Sequence, residues 1–351
     1  MTTSVVERIL ANPILLCSHD RVISPQVDFS SAARAPAPSA IVNVAYASSA
    51  PHGNDLLQWE AYAGAPSEGA ARVLAHPRGA RASRALAANM LVSLESDRAF
   101  ASICKDAGRY VAAMTALYLH FDSGLTLPKL KDTCIASGFL SRGRARAVLR
   151  ALQQLKYLES DASPAAVGAR RYVPTSAFLN AWCGHLRAAL DAACLIEPAA
   201  ASVRDRLDDP ATAAVFIRLQ STGLLRGVAG NPSTPMPALM RVIMDHDAGF
   251  QLTWHLLSAN AADDEFPPTA AMHLPIAGLA RRFNVSRVHV RRMLGAAARE
   301  RVLEADASGA VRFADGGRGE IRFLYAAQLA QLLASAAGTV RATRNKVRMP
   351  R

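Results

Sequence analysis

The sequence predicts a mainly α-helical protein with small β-hairpins, arranged as two similar units in tandem. Two observations carry this prediction. Apolar residues recur at three- and four-residue spacing through most of the chain after residue 83, which is the pattern of amphipathic helices. Two pairs of short strand-like segments each follow a helical segment, and the motifs around them recur about 145 residues apart.

Composition limits the partners more than the fold. The 351 residues suffice for two or three domains, and 51% of them are apolar, enough for a sizeable core. The 40 Lys and Arg outnumber the 28 Asp and Glu, for a formal charge of +12, which favours a polyanionic partner. Only five of the basic residues are Lys. Arg pairs bidentately with phosphate or a guanine edge, although an Arg-rich composition also arises from a GC-rich genome.

Cysteine usage and the absence of targeting segments predict a cytoplasmic protein. The five cysteines are far apart and form no CxxC pair, which is typical of reduced thiols in core packing and not of a disulfide frame or a zinc site. The first residues lack the charged start and long apolar middle of a secretory signal. No run of 18 apolar residues occurs, so we expect no membrane span.

Shifts in composition and periodicity divide the chain into five segments. The predicted segments are a largely disordered N-terminal arm (1–82) with a short helix at 4–17, a first folded unit (83–190), a helical connector (191–237), a second folded unit (238–337) and a basic C-terminal tail (338–351). The arm is rich in Ala, Ser, Pro and Gly, and the tail holds five basic residues and no acid.

The segment from Leu279 to Leu294 has the pattern of a helix-turn-helix. Apolar residues stand where two crossing helices share a small core, and Ala280 is small where their backbones come closest. Asn284 lies at the turn, where it tolerates a left-handed backbone, and Ser286 is placed as the N-cap of the second helix. The outward face of that helix carries Arg287, His289, Arg291 and Arg292.

The first unit repeats this pattern. Ser141 is placed as an N-cap, and the helix that follows buries Ala145, Val148, Leu149 and Leu152 while exposing Arg142, Arg144, Arg146 and Arg150. Hairpins are predicted after each helix, from strands at 157–160 and 170–174 and from strands at 311–314 and 320–324. Arg170 and Arg171 fall on the first hairpin, and Arg318 falls on the Gly-rich tip of the second. These side chains are either phosphate contacts or a solvated hairpin edge.

Matching motifs indicate that the two units are copies. Asp106-Ala107-Gly108 recurs as Asp247-Ala248-Gly249, Ser141-Arg142 as Ser286-Arg287, and Leu158-Glu159 as Leu303-Glu304, with changes in spacing confined to loops. A helix-turn-helix followed by a hairpin resembles the winged-helix transcription regulators of bacteria, broadly of the MarR type, over residues 98–190 and 238–336. Because such regulators usually act as homodimers, the resemblance implies a covalent pseudo-dimer with two half-sites that need not be identical.

The resemblance implies a sequence-specific regulator that binds double-stranded DNA, is nucleoid-associated, and contacts RNA polymerase or another regulator through the arm or the connector. It implies a monomer (pseudo-dimer) or a homodimer, with no cofactor, metal or catalytic activity. The DNA-contacting residues would be Ser141, Arg142, Arg144, Arg146, Arg150, Arg170, Arg171, Ser286, Arg287, His289, Arg291, Arg292 and Arg318.

Other interpretations stay open at this point. Paired winged helices also occur in plasmid and phage replication initiators, and such a fold can serve as a protein-interaction scaffold. Solvated faces of ordinary helical hairpins are the alternative explanation of both cationic faces. A metal site at Asp245, His246, Asp247 and His255 is disfavoured, because residues nine apart on a helix point to opposite sides. Trp182 and Trp254 lie on predicted helices and are interpreted as core residues.

Overall fold

The computed structural model describes residues 66–136, 140–161, 170–228, 238–244, 246–259 and 265–348. These residues belong to one structural unit, which is mainly α-helical and has two small antiparallel sheets in the described ranges. This confirms the predicted fold class at the level of helices with small hairpins. The helix predicted at residues 4–17 lies outside the described residues.

Helical structure begins earlier than predicted. α1 spans Pro66–Ala75 and α2 spans Gly79–Glu95. Ala70 and Val73 are buried, and α1 packs against the last helix of the chain. The prediction of a flexible arm up to residue 82 is therefore wrong for residues 66–82, because Ala-rich sequence has high helix propensity and finds a packing partner far along the chain.

The first unit has the predicted order of elements. Its elements are α3 (Arg98–Ile103), α4 (Ala107–Asp122), β1 (Leu125–Thr126), α5 (Leu127–Ala136), α6 (Arg142–Gln154), β2 (Leu158–Ser160), β3 (Arg171–Pro174) and α7 (Ser176–Ala193). A polar side chain precedes each of the five helix starts and accepts a hydrogen bond from the backbone N–H three residues later. These side chains are Asp97, Asp106, Thr126, Ser141 and Thr175.

The connector contains a break that the sequence analysis missed. A 3-10 turn at Pro198–Ala200 leads into α8 (Ala201–Arg204), and α9 begins only at Pro210 and ends at Val228. The carboxylate of Asp209 accepts a hydrogen bond from the backbone N–H of Thr212 at 3.0 Å. Proline in the first turn and an acidic cap before it restart the helix at this point.

The second unit contains both helices predicted around the turn at Asn284. Its elements are α10 (Ala238–Met244), α11 (Gly249–Ser258), α12 (Ile276–Arg282), α13 (Arg287–Arg299), β4 (Leu303–Ala305), β5 (Val311–Phe313) and α14 (Asp315–Arg348). Asn284 takes the predicted left-handed backbone, with φ of 51°. Trp182 of the first unit and Trp254 of the second are both buried, which confirms their interpretation as core residues.

The second hairpin and the final helix differ from the prediction. β4 pairs with β5, whereas strands were expected at 311–314 and 320–324. α14 already begins at Asp315 and continues to Arg348, so residues 338–348 of the expected disordered tail are helical. Gly317 lies within α14 against the backbone of Val302, where an added Cβ would come within 3.0 Å of the Val302 Cα. Close packing, and not a turn, accounts for this glycine.

α14 is long and apolar enough to cross a membrane, the only such helix in the described ranges. However, 72% of its most apolar window is buried inside the protein. It packs against α1 along one part of its length and against α9 along another. Burial of this kind is what the core helix of a soluble protein shows.

The two small sheets share the same register. In the first unit the central strand is β3, with β1 on one side and β2 on the other. In the second unit β5 pairs with β4 and also forms an isolated bridge with Met272. In the first unit Tyr172 of the central strand pairs with Leu125 on one side and with Ser160 on the other. In the second unit Val311 pairs in the same way with Met272 and with Ala305.

Backbone conformation also recurs between the units. Lys156 and Arg301, 145 residues apart, both have left-handed φ angles, of 57° and 56°. Each lies between a helix and the first hairpin strand that follows it. A left-handed residue is costly for any side chain other than glycine, so its recurrence at the same place supports the duplication inferred from the sequence.

The helices that precede the two units, α2 and α9, each pack against both units. α2 packs against α7, the closing helix of the first unit, and against α11 of the second unit. α9 packs against α14, the closing helix of the second unit, and against α4 of the first unit. Each unit therefore completes its core with a helix that also covers the other unit.

Candidate nucleic-acid interface

α13 has the orientation that the sequence predicts. The hydroxyl of Ser286 accepts a hydrogen bond from the backbone N–H of His289 at 3.0 Å and so caps the helix. Its inner side packs on α12 and β4. The buried residues are Val290, Met293 and Ala297. The exposed basic residues are Arg287, Arg291 and Arg292 in the first half of the helix and Arg299 at its end.

α6 presents a matching cationic face in the first unit. Ser141 caps it through a hydrogen bond from the backbone N–H of Arg144 at 3.4 Å. Its inner side packs on α5 and α4. The buried residues are Ala145, Val148, Leu149 and Leu152, and the exposed basic residues are Arg142, Arg144, Arg146 and Arg150.

Two arginines occupy equivalent positions in both helices. Counting from the capping serine, Arg142 corresponds to Arg287 and Arg146 corresponds to Arg291. The other basic positions are not shared, because Gly295 stands where α6 has Arg150, and Ala147 stands where α13 has Arg292. The shared pairs are one helical turn apart on the outer face of each helix.

These shared arginines have little to bind within the protein. Arg142 reaches the exposed carboxylate of Asp132 only at 3.5 Å. Across the described part of the chain, Arg146, Arg287 and Arg291 form no hydrogen bond or ion pair with another side chain. Exposed guanidinium groups that lack a counter-charge are available to a polyanion.

Arg144 and His289 occupy equivalent positions, but both are engaged inside the protein. The guanidinium of Arg144 donates to the carboxylate of Asp106 at 3.1 Å. His289 donates from Nε2 to the carbonyl oxygen of Asp247 at 2.8 Å, while its Nδ1 accepts from Arg292 at 2.9 Å. We therefore leave Arg144 and His289 out of the interface and assign them to holding α6 and α13 against α4 and α11.

The starts of α4 and α11 meet at a junction between the two units. The backbone N–H of Ala248 donates to the carbonyl of Lys105 at 2.7 Å. The ammonium of Lys105 donates to the carbonyl of Asn284, in the turn before α13, at 2.9 Å. The rings of Tyr110 and Phe250 are in contact, with centroids 6.2 Å apart. Because Arg144 and His289 bond to the same two helix starts, this junction connects α6 to α13.

The hairpins differ in charge. Arg170 and Arg171 are exposed at the first hairpin, as predicted, and the loop at 162–169 lies outside the described residues. The second hairpin carries Glu304 and Asp306, and its Arg312 pairs with Glu304 at 2.6 Å. The hydroxyl of Ser308 donates to the Asp306 carboxylate and lowers the pKa of that group, which therefore stays ionised. In the first hairpin Glu159 and Asp161 offset the two arginines, whereas in the second the acids outnumber the single arginine.

The placement of Arg318 on the tip of the second hairpin is wrong. Arg318 lies in the first turns of α14, where it donates to the carbonyl of Pro268 at 2.9 Å and pairs with Glu265 at 2.8 Å. Its side chain is only 11% exposed. The Gly-rich segment had the composition of a turn, but the turn of this hairpin lies earlier, between β4 and β5.

Other kinds of site have less support. Within the described ranges, no three His, Cys, Asp or Glu side chains are grouped so that they could hold a metal ion.

Val288 was not predicted from the sequence as a site residue. It is an exposed apolar residue between the arginines of α13. Its exposure distinguishes it from the other apolar residues of the motif, which are inward-facing.

Comparison with protein-family models, curated proteins and solved structures finds no match.

Asp106 is expected to stabilise the fold, because its carboxylate accepts hydrogen bonds from several groups at once. Its side chain is 5% exposed and accepts from the backbone N–H of Arg109 and from two guanidinium groups. Asp106→Ala should lower the free energy of unfolding by about 2–3 kcal/mol, from the lost cap and charged hydrogen bonds. Urea denaturation followed by circular dichroism measures this change.

Asp132→Ala is the matched control, since Asp132 is 68% exposed and its one ion pair in the described part of the chain is with Arg142. Surface pairs of this kind contribute less than about 1 kcal/mol. Equal losses in the two variants would show that Asp106 does not hold α4 and α6 together.

Proposed function

We propose that this protein is a sequence-specific regulator of transcription that binds double-stranded DNA through two winged-helix units in one chain. α6 and α13 serve as recognition helices in neighbouring major grooves, and the hairpins serve as wings. The chain acts as a pseudo-dimer, in the cytoplasm and associated with the nucleoid. Its two half-sites are related but unequal.

One observation carries the proposal. Arg142 with Arg146, and Arg287 with Arg291, stand at equivalent exposed positions on two helices of the same design. A scaffold that had lost contact with nucleic acid would have no reason to keep two sets of unneutralised arginines at matching places. Guanidinium groups at the start of a recognition helix bind guanine edges bidentately or bind phosphates.

The order of elements supports the winged-helix assignment. In each unit a helix, a short strand or bridge, two helices and a hairpin follow one another, and the first strand adds to the hairpin at the same register. A three-stranded sheet beside a helix-turn-helix lets the second helix enter a groove while the hairpin reaches the flanking backbone. Arg170 and Arg171 supply cationic groups for this contact in the first unit.

The junction at Lys105 and Ala248 supports binding to two half-sites at a fixed spacing. Because both recognition helices are bonded to this junction, they cannot move independently without breaking hydrogen bonds. Paired recognition helices fit half-sites whose centres lie about 10 base pairs apart, one turn of the duplex. A flexible linker between the units would instead permit variable spacing.

The deciding experiment is capture of genomic DNA. Fragments are incubated with purified full-length protein at near-physiological salt and excess competitor DNA, and the retained fragments are sequenced. We expect a small set of promoter sites, each with two unequal half-sites at one spacing. Salt matters in this design, because nonspecific phosphate contacts weaken steeply as its concentration rises.

Two outcomes would contradict the proposal. Retention of clustered repeats beside a replication origin would identify a replication initiator. Retention of nothing above background would mean that the cationic faces serve weak nonspecific contacts or a protein partner.

A further inference from the structure

Val288 lies at an unusual position for an apolar side chain. It is 70% exposed, the highest value among the large hydrophobic residues of the described chain. It occupies the second position of α13, between Arg287 and His289 and one turn before Arg291 and Arg292. Packing within the protein therefore does not account for this valine.

The surroundings hold Val288 in a defined orientation. Ser286 caps the helix two residues before it, and the neighbouring His289 is bonded at both ring nitrogens, to Asp247 and Arg292. A β-branched side chain in a helix has one strongly preferred χ1 rotamer. Two methyl groups are thus presented rigidly from the first turn of a recognition helix, the part that reaches base edges.

Only one group on the major-groove edges of the four bases is apolar, the 5-methyl group of thymine. We propose that Val288 is a specificity-determining residue that packs on a thymine methyl group in the half-site bound by α13. This inference rests on the proposed function and adds a base identity to it. Its neighbours Arg287 and Arg291 contribute affinity or guanine contacts on either side.

The first unit lacks this contact. Gly143 is the residue of α6 that corresponds to Val288, two positions after the capping serine. It has no side chain that could contact a base. An added Cβ at this position would meet no atom within 4 Å. The thymine is therefore required in one half-site only, which makes the two half-sites unequal in a stated way.

The test begins with selection of bound duplexes from a randomised DNA library by the wild-type chain. We expect one thymine to be enriched in the half-site of the second unit with no counterpart in the first. Replacing that thymine by uracil removes only the methyl group and should weaken binding about fourfold, the factor that corresponds to burying one methyl group. Val288→Gly should bind the thymine and uracil duplexes equally.

Gly143→Val is the reciprocal variant, and the open space around Gly143 allows it to fold. It should create a thymine preference at the corresponding position of the first half-site. Thermal unfolding of both variants shows whether the fold is retained.

The outcomes separate this inference from the proposed function. Selection of two half-sites with equal binding of the thymine and uracil duplexes by the wild-type chain overturns the role of Val288 and leaves the regulator intact. The same holds if Val288→Gly keeps the preference for thymine. Selection of no sequence at all overturns both.

Discussion

Replacing Arg146 and Arg291 together by Ala is expected to reduce affinity for a captured DNA site by a factor between about 30 and 20,000. Each is the central exposed arginine of its helix and has no partner among the described side chains. One bidentate guanine contact contributes about 1–3 kcal/mol, so that two contribute about 2–6 kcal/mol. Fluorescence anisotropy with a labelled duplex measures the change.

The salt dependence of the same variant distinguishes two kinds of contact. If both arginines bind phosphate, the slope of log affinity against log salt should become shallower by about 2. If they bind bases, the slope should stay the same while discrimination against mutated sites falls.

Arg218→Ala is the matched control, because Arg218 is an exposed arginine on α9, outside both α6 and α13. It should keep nearly wild-type affinity. Unfolding curves for the double variant should match the wild type, since neither arginine packs against the core. Unchanged affinity in the double variant would refute the assignment of α6 and α13 as recognition helices.

Stability is expected to fall steeply below pH 6.5 because of His185. This residue is 1% exposed. Its Nδ1 bonds the hydroxyl of Ser93 at 2.8 Å, and the rings of Phe100, Tyr110 and Trp182 surround it. Its Nε2 has no hydrogen-bond partner among the described residues. Burial lowers the pKa of this imidazole from 6.5 to about 3.

The sign of the effect follows from where the proton binds. Between pH 6.5 and about 3 the unfolded chain takes up a proton at His185 that the folded chain excludes, so acid favours unfolding. The full contribution of the neutral residue is present above pH 6.5 and is lost as the pH falls. Each pH unit costs about 1.4 kcal/mol, or about 2 kcal/mol between pH 6.5 and pH 5.

Urea denaturation at several pH values measures this dependence. His185→Phe keeps an aromatic ring in the cluster and should flatten the curve by about 2 kcal/mol over that range, whatever its stability at neutral pH. His76, His120 and His255 also have pKa values lowered by burial and contribute a remaining slope of the same sign. A wild-type slope in His185→Phe would contradict the prediction.

Local chemistry made α6 and α13 predictable. The capping serines, the left-handed Asn284 and the inward spacing of Val290 and Met293 all act within a few residues of one another. Caps and helical periodicity depend on the residues that carry them, so their signal survives without knowledge of the rest of the fold. The positions of the two strands of the first hairpin were predictable for the same reason.

The second hairpin was misplaced because local chemistry pointed the wrong way. Asp315 and the glycines after it have the composition of a turn, and each glycine in a helix costs about 1 kcal/mol relative to Ala. Burial of α14 against α1 and α9 outweighs that cost. Gly317 is moreover needed where α14 crosses the backbone of Val302.

Residues 66–82 illustrate the same limit, since their helices are stabilised by partners that lie more than 100 residues away. In the sequence Arg144 and His289 do not differ from the exposed basic residues beside them. Their partners, Asp106 and Asp247, lie just before the starts of other helices, 38 and 42 residues away. The positions of caps, turns and helix faces can be read along the chain because they depend on neighbours in sequence. Which helices pair, and which arginines remain unbound, depends on contacts that form only when distant segments pack together.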